Sequence, residues 1–300
     1  MIIYSIIIPH HNIPNLLQRC LASIPRREDT EVIVVDDASD AHFADELEAV
    51  MAAHPDVCLL KHEQCIGGGG ARNTGLAHAI GRYVIFADAD DFFNDCFAEV
   101  LEDYYQSDDD IIFFKGNSID TNTMIPANRA DHLNRFVDDY QSGKDANGEQ
   151  LRYIFGEPWA RMTRRAMIEQ HHIRFEETFI HNDSAFGYLT GFHAQSIRAD
   201  NRAIYCVTVR QGSVSRIDSL DRILTRINVF GRAEQFLSLH HVKTIPTAHY
   251  EQLVRLLVHG RLNVFGQCIN VLRRQGFSLI HIINKTIVEF FCIMKNKLTT

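Results

Sequence analysis

Apolar and polar positions follow a regular order over the first 115 residues of the chain. Four apolar runs have the length and composition of buried strands, at residues 2–8, 31–35, 57–60 and 83–86. Helix-like patterns separate them, at residues 15–23 and 43–53 and for about ten residues after the glycines at 67–70. Strands that alternate with helices predict an α/β fold with a mostly parallel sheet.

The pattern changes after residue 120. Residues 120–149 are polar and indicate a loop-rich segment, whereas residues 151–168, the stretch after Asp183 and the run 203–209 again predict ordered elements. From about residue 216 the pattern is helical, and residues 277–294 predict an amphipathic helix with a broad apolar face. We therefore expect two halves, 1–115 and 116–215, followed by a helical extension over 216–300.

Composition excludes several classes of protein. With 46% apolar and 23% charged residues the chain is typical of globular proteins, and its net charge of −8 argues against nucleic-acid binding. Seven scattered cysteines without a Cys-x-x-Cys pair indicate free thiols rather than disulfides or a zinc site. The strand-like start has no basic segment or cleavage pattern of a signal peptide, so we expect a cytoplasmic protein.

Charge is unevenly distributed along the chain. Residues 251–300 contain seven Lys or Arg and two acids, a balance of +5, which leaves −13 for the first 250 residues. Lys285 and Glu289 near the middle of the predicted last helix argue against a membrane-spanning segment. A helix lying on a membrane surface and a helix packed on the protein or on a dimer partner both remain open.

Three carboxylates follow the apolar run 83–86 within four residues, Asp88, Asp90 and Asp91. The carboxyl end of such a strand is where open α/β sheets bind ligands. Like charges this close raise one another's pKa, and a hard divalent cation relieves the repulsion. The cluster therefore indicates a metal that holds a diphosphate, and the alternative is an acidic turn before the next helix.

Other polar groups lie where predicted strands end. Pro9 stiffens the exit from the first run, and the polar residues that follow, His11 among them, can contact a nucleoside. Asp37 can accept hydrogen bonds from a base or a ribose, or precede a helix cap at Ser39 or Asp40. The glycines at 67–70 match neither dinucleotide-binding nor P-loop motifs, but they permit close backbone approach, and Arg72 suits an anionic group.

Taken in order, the segments SIIIPHHN, EVIVVDDASD, GGGGARNTG and GRYVIFADADDFF resemble the family-2 glycosyltransferases with a GT-A fold. The resemblance is strong over residues 3–100 and extends more loosely to 215, through EPWARMTRR and VRQGSVS. It implies a Rossmann-like sheet, a nucleotide-sugar donor that is usually UDP-linked, and Mn²⁺ or Mg²⁺. The implied acceptor is a saccharide or a lipid-linked saccharide in surface-polysaccharide or lipopolysaccharide synthesis.

The resemblance also implies roles for single residues on the donor side. Pro9 and Asp37 would line the nucleoside pocket, and Arg72 would lie near the base or the diphosphate. Asp88 would lie by the ribose, and Asp90 would bind the metal.

On the acceptor side, Asp183 is the candidate base that takes the proton from the acceptor hydroxyl. The family's Glu-Asp pair is replaced here by Asn182 and Asp183. The alternatives are that Asp183 caps the helix that starts at Ser184, or that His181 is the base. A single acid on this side implies one displacement with inversion at the anomeric carbon.

Two more features each allow two interpretations. Trp159 can stack on a sugar or anchor the core, and Arg161 stands where relatives often have Lys. The segment from Arg210 to Arg216 can close over the diphosphate or form a surface loop.

The sequence also leaves two other functions open, a sugar nucleotidyltransferase and a protein that binds nucleotide sugars without catalysis. The loop after the first strand disfavours the nucleotidyltransferase.

Overall fold

The computed structural model describes residues 1–209 and 219–298, and these ranges contain eight strands and twelve α-helices. The strands are β1 (Tyr4–His10), β2 (Thr30–Asp36), β3 (Val57–Lys61), β4 (Tyr83–Phe86), β5 (Phe92–Phe93), β6 (Ile111–Asp120), β7 (Arg161–Arg164) and β8 (Ile197–Val209). They form one sheet in the order β3-β2-β1-β4-β7-β6-β8-β5.

The helices are α1 (Pro14–Ala22), α2 (Ala44–Ala53), α3 (Gly67–His78), α4 (Phe97–Asp103), α5 (Asp131–Gln141), α6 (Glu149–Tyr153), α7 (Arg165–Gln170), α8 (Ser184–His193), α9 (Leu220–Leu239), α10 (Ala248–Val258), α11 (Leu262–Arg274) and α12 (Leu279–Leu298). A short 3₁₀ turn, Ala41–Phe43, precedes α2.

The sheet has a parallel half and a mixed half. Strand β1 lies parallel to β2 and β4, and β2 lies parallel to β3. Strand β7 runs antiparallel to β4 and β6, while β6 and β8 are parallel. The α/β fold expected from the alternating pattern is confirmed, and the carboxyl ends of β1, β2 and β4 lie together at one edge, as parallel neighbours require.

Two local expectations are wrong. Helix α3 includes the glycines at 67–70 instead of following them. The Asp37 carboxylate accepts the backbone N–H groups of Ile66 (3.0 Å) and Gly67 (2.7 Å) at the start of this helix.

Helix α5 lies within the segment expected to be loop-rich. Its Leu133 and Val137, one turn apart, are buried against the sheet, and the polar remainder of the helix hides this narrow apolar stripe.

The C-terminal helices α9 to α12 have a hydrophobic cluster of their own. Its buried members are Ile223, Ile227, Tyr250, Leu253, Leu256, Cys268, Leu272 and Ile282. A smaller cluster joins this part to the sheet part, through Ala185 and Tyr188 of α8 and Ala233 and Leu237 of α9. The boundary expected at 215 lies outside the described residues, so the division into domains stays a prediction.

A buried carboxylate ties three of these helices together. Glu234 on α9 is 1% exposed and accepts hydrogen bonds from Nε2 of His249 (2.8 Å), the Tyr250 hydroxyl (2.7 Å) and Nε2 of His281 (3.0 Å). Burial alone would raise the pKa of Glu234, but these hydrogen bonds lower it to about 2. The carboxylate is therefore ionised over the whole physiological range.

Helix α12 buries one face and exposes another. Ile282 and Thr286 are buried, whereas Ile280, Val288 and Phe291 are 73%, 58% and 65% exposed. Within the described residues, no helix combines the length and the apolar character needed to cross a bilayer. The amphipathic helix expected near residues 277–294 is present, with its apolar stripe facing outward.

We predict that alanine destabilises the protein at Gly69 but not at the neighbouring Gly68 of α3. A Cβ on Gly69 would lie 2.0 Å from the carbonyl oxygen of Glu176, whereas a Cβ on Gly68 would meet Arg72 at 3.4 Å, an ordinary contact. Gly69→Ala should therefore lower the free energy of unfolding by about 2 kcal/mol. Gly68→Ala should be neutral or stabilising by up to about 1 kcal/mol through helix propensity.

Urea unfolding of the two variants beside the wild type tests this. Equal stability of both variants would contradict the close packing of α3 on the segment around Glu176.

Candidate active site

The acid cluster lies in a tight turn directly after β4. The backbone N–H of Asp91 donates to the carbonyl of Asp88 (3.0 Å), and the carbonyl of Asp90 accepts from Thr208 Oγ1 (2.7 Å) and from Arg19 Nη2 (2.5 Å). These bonds fix the backbone of the turn from both sides. The turn therefore presents its carboxylates at the sheet edge where the parallel strands end.

Asp91 serves the structure of this turn. It is 3% exposed, and its Oδ1 accepts the backbone N–H of Thr208 on β8 (2.7 Å). Burial and the neighbouring charges of Asp88 and Asp90 raise the pKa of Asp91 well above its usual value. Three carboxylates are thus crowded as the sequence predicts, and a bound cation would relieve their repulsion.

Arg72 connects the acid cluster to the loop that precedes Asp183. Its Nη2 donates to Asp88 Oδ1 (2.5 Å), its Nη1 donates to Asn182 Oδ1 (2.9 Å), and its guanidinium lies over the Phe175 ring (5.5 Å to the centroid). The side chain is 8% exposed. The expectation placed Arg72 near the base or diphosphate; in the structure it bridges an aspartate of the donor side and the loop before Asp183.

Two cavities open beside this bridge and share part of their lining. One, of about 480 Å³, is lined by Asp88 and Asp183 together, and the other, of about 520 Å³, is lined by Asp88, Asp90 and Asp91. Arg129 and Trp159 line both. Asp88 and Asp183, 95 residues apart in the chain, therefore face a common space.

The acids of the second cavity fit a divalent cation of a particular kind. Over residues 1–209 and 219–298, no group of three or more His, Cys, Asp or Glu side chains is arranged to hold a metal by itself. Mg²⁺ and similar ions are commonly held by one or two carboxylates together with substrate phosphates. Asp90 with Asp88 nearby can supply that smaller set, so the residues suit a cation that arrives with a diphosphate.

Asp183 has the environment expected of a base. It stands at the start of α8, but its side chain makes no capping hydrogen bond there, so capping does not account for it. Burial, followed by the negative charge of Glu157, raises the pKa of Asp183 to about 6. A carboxylate with this pKa is ionised at neutral pH and is a stronger proton acceptor than an ordinary aspartate.

His181 is a poor second candidate for the base. The Nε–H of Arg226 can only donate, and it points at Nε2 of His181 (3.1 Å), so that nitrogen carries a lone pair already engaged in a hydrogen bond. Burial and the Arg226 charge lower the pKa of His181 to about 4. The imidazole is therefore neutral at physiological pH, with Nε2 occupied.

Asp37 has a structural role at this edge. Its two oxygens accept four hydrogen bonds, from His62 Nδ1 (2.7 Å), Cys65 Sγ (3.1 Å) and the backbone N–H groups of Ile66 and Gly67. Burial would raise its pKa, but these bonds lower it. They occupy about the whole accepting capacity of a carboxylate, so contact with a nucleoside requires one donor to move, and that role stays a prediction.

Pro9 and His11 lie beside Asp37. Pro9 is in β1 opposite Val35 of β2, and Nδ1 of the exposed His11 lies 2.9 Å from the carbonyl oxygen of Asp37. The structure thus brings these residues to the expected edge of the sheet. Their contact with a nucleoside also stays a prediction.

Trp159 and Arg161 are both buried. Trp159 is 5% exposed and stacks on Tyr205 at 5.4 Å, yet it borders both cavities, so it combines the anchoring role with a position at the site. Arg161 is 1% exposed, and its guanidinium lies over the Phe186 ring (5.2 Å). Burial lowers the pKa of Arg161 to about 10. The segment from Arg210 to Arg216 lies outside the described residues.

Two contributors to the cavity shared by Asp88 and Asp183 are not among the residues expected from the sequence. Glu157, which immediately precedes Pro158 and the Trp159 motif, lines it together with Asp183, so the acceptor side does not have a single acid as expected. Helix α9 forms another wall through Arg222, Ile223, Arg226, Phe230 and Ala233. The position of Glu157 beside the Trp159 motif could have marked it as a candidate site residue. Nothing in the apolar and polar pattern of α9 indicates that this helix lines a cavity.

These features agree with comparisons to known proteins. A profile described as "Glycosyl transferase family 2" matches residues 5–204. The uncharacterized glycosyltransferase EpsJ of Bacillus subtilis is 27% identical over 222 residues, which cover 71% of this chain and 63% of EpsJ. The chain thus spans less than two thirds of the length of that relative.

Solved structures show the same fold at low sequence identity. S. aureus TarS 1-349 in complex with UDP-GlcNAc has a TM-score of 0.64 at 18% identity, covering 96% of this chain and 89% of that chain. The mannosyltransferase PcManGT of Pyrobaculum calidifontis, in complex with GDP-Man and Mn²⁺, has a TM-score of 0.54 at 15% identity, covering 96% and 86%.

A central sheet with an acid cluster at the carboxyl end of β4 defines a GT-A type glycosyltransferase scaffold. The chain belongs to glycosyl transferase family 2. The resemblance seen in the sequence and the fold that it implied are both confirmed.

We predict that the Asp183 carboxyl titrates with a midpoint near pH 6. Replacing Glu157 by Gln removes a negative charge that raises this pKa, so the midpoint should fall. Carbon-13 NMR of protein labelled at aspartate carboxyls measures both values. The exposed Glu177, changed to Gln, is the matched control and should leave the midpoint in place; an unshifted Glu157→Gln variant would contradict the electrostatic account.

Proposed function

We propose that the protein is a metal-dependent, inverting glycosyltransferase that moves a sugar from a nucleotide sugar, UDP-linked, to a hydroxyl of a saccharide or lipid-linked acceptor. The observation that carries this proposal is the common cavity of Asp88 and Asp183, with Arg72 joined to Asp88 and to Asn182 next to Asp183. A donor held at the acid cluster and an acceptor held at Asp183 would meet there.

Nucleotide-sugar binding is supported by the neighbours of the same fold. TarS is described with UDP and with UDP-GlcNAc, and PcManGT with GDP-Man and Mn²⁺. In this chain Asp90 and Asp88 would hold the cation, and Arg129, which borders both cavities, would face the diphosphate. When bound, the divalent cation supplies Lewis-acid stabilisation of the charge that develops on the departing nucleoside diphosphate.

Asp183 is the proposed general base. Its carboxylate takes the proton of the acceptor hydroxyl as that oxygen forms a bond to the anomeric carbon. The bond between this carbon and the diphosphate oxygen breaks at the opposite face, and the electron pair leaves with the nucleoside diphosphate. Attack and departure on opposite faces invert the anomeric configuration, as in inverting glycosidases, where water takes the place of the acceptor.

Glu157 does not need to act as a nucleophile in this scheme. It lies 3.6 Å from Nε2 of His132 and raises the pKa of Asp183 by its charge. We therefore assign it to tuning of the base. A Glu157→Gln variant should keep transfer at neutral pH, which distinguishes this role from covalent catalysis.

The proposed setting is the cytoplasmic face of the membrane, in surface-polysaccharide or lipopolysaccharide assembly. The apolar stripe of α12 is exposed, and the residues from 251 onward carry a balance of +5. Apolar area and basic charge together favour an anionic lipid surface. A second copy of this basic segment would bring like charges together, so we favour lipid over a homodimer.

We expect Asp183→Asn to lower kcat about a thousandfold because the proton acceptor is lost. Donor affinity should be unchanged, since the acid cluster stays intact. Release of nucleoside diphosphate from UDP-glucose, UDP-galactose, UDP-GlcNAc and GDP-mannose, with Mn²⁺ and a panel of lipid-linked and saccharide acceptors, measures transfer. Release of pyrophosphate from a nucleoside triphosphate and a sugar 1-phosphate would identify a nucleotidyltransferase, and donor binding without turnover would identify a binding protein.

Asp90→Asn should remove the Mn²⁺-dependent part of donor binding measured by calorimetry. The exposed Asp95, changed to Asn, is the matched control on the same segment and should bind as the wild type does. Metal-dependent binding that survives in Asp90→Asn would contradict the assignment of Asp90.

Serine at Ile280, Ile287 and Phe291 should abolish co-sedimentation with vesicles that contain phosphatidylglycerol. These positions are 73%, 49% and 65% exposed, so the fold should tolerate the changes. Ile80→Ser, 62% exposed on the sheet part, is the control and should leave binding unchanged. Added salt should weaken binding by screening the basic residues. A wild-type dimer that the triple change dissociates would instead show protein contact.

A further inference from the structure

We propose that Arg226, on helix α9, is a positioning residue that holds the loop carrying Asp183 in its reactive conformation. The inference rests on the proposed function, in which Asp183 is the base. It makes the C-terminal helices a working part of the active site, in addition to any part they have in membrane contact.

Arg226 joins this loop to a buried anchor. Its Nε donates to Nε2 of His181 (3.1 Å), and its Nη1 donates to Oε1 of Gln252 on α10 (2.6 Å). Gln252 is 2% exposed, so it offers a fixed acceptor inside the helical part. The imidazole of His181 also packs edge-on against Phe230 of α9, with ring centroids 5.0 Å apart. Two contacts from α9 thus fix the His181 side chain.

His181 has a backbone conformation that needs such support. Its φ is +56°, in the left-handed region that non-glycine residues adopt rarely and at a cost of about 1 kcal/mol or more. The next turn begins at once, since the Ser184 N–H donates to the His181 carbonyl (3.2 Å). A return of His181 to the ordinary region would rotate the chain just before Asp183 and carry its carboxylate away from the cavity.

The same loop is held from the opposite side by the sheet part. Arg72 donates to Asn182 Oδ1, and the Glu176 N–H donates to the Asn182 carbonyl (3.0 Å). Asp183 therefore follows two residues that are each held by an arginine, one from α3 and one from α9. Arg72 holds the Asn182 side chain but does not restrain the backbone of His181. The contact of Arg226 with His181 therefore restrains a part of the loop that Arg72 does not.

The test compares Arg226→Met, which keeps length and loses the hydrogen bonds, with Arg226→Lys and with Arg255→Met. Arg255 is exposed on α10 and is the matched control for the same substitution in the same helical part. Each variant is assayed for transfer in the acceptor panel, for hydrolysis of the same nucleotide sugars, for donor affinity and for melting temperature.

We expect Arg226→Met to lower kcat about a hundredfold, as a displaced catalytic group does, while donor affinity changes less than about twofold. Arg226→Lys, which retains one donor, should recover part of the loss, and Arg255→Met should match the wild type. A role in stability alone would instead lower the melting temperature and leave kcat of the folded protein unchanged. Wild-type kcat in folded Arg226→Met overturns the proposal.

Variants of His181 provide a second, independent test if Arg226→Met does not fold. His181→Asn keeps an acceptor and tolerates the left-handed backbone, so it should lose less kcat than His181→Leu. Where both single variants fold, combining Arg226→Met with His181→Leu should cost little more than either alone, because they break the same contact. Equal kcat of the Asn and Leu variants, or fully additive losses, overturns the proposal. Absence of transfer and hydrolysis in the wild type would refute the proposed function itself.

Discussion

One buried guanidinium holds the two sides of the active site together. Arg72 donates to Asp88 in the acid cluster and to Asn182 in the loop before Asp183, on the proposed donor and acceptor sides. Asp88 is partly exposed, but the guanidinium is buried, so removing its carboxylate partner would leave a buried charge without compensation. Gly69 of α3 allows this contact to form. Because Gly69 has no Cβ, the helix lies against the carbonyl of Glu176, close enough for Arg72 to reach the loop.

The carboxylates around this bridge are divided between structure and chemistry by their surroundings. Asp37 is saturated with hydrogen bonds and Asp91 is fixed to β8, so both build the sheet edge. Asp183 makes no capping bond and has a raised pKa, which suits the proton transfer that we propose for it. Aspartates of this site thus differ in whether hydrogen-bond donors occupy their oxygens, as they do at Asp37 and Asp91.

The sequence was informative where one local property decides the outcome. The run ending at Phe86 is a buried strand because four consecutive apolar residues fit a sheet covered on both faces, and the position of Asp88 follows from it. Helix α5 was hidden because two apolar residues sufficed to bury it. The contact of Arg226 with His181 joins residues 45 apart through tertiary packing, which no periodicity reveals.

The buried Glu234 has a consequence for the outermost helix. Its bond to His281 fixes the rotational setting of α12 about its own axis, with Ile282 turned inward and Ile280 and Phe291 turned outward. Helix α12 therefore cannot rotate about its axis to bury Ile280 and Phe291. Their outward presentation is set by the fold, so the proposed contact with a membrane would need no reorientation of this segment.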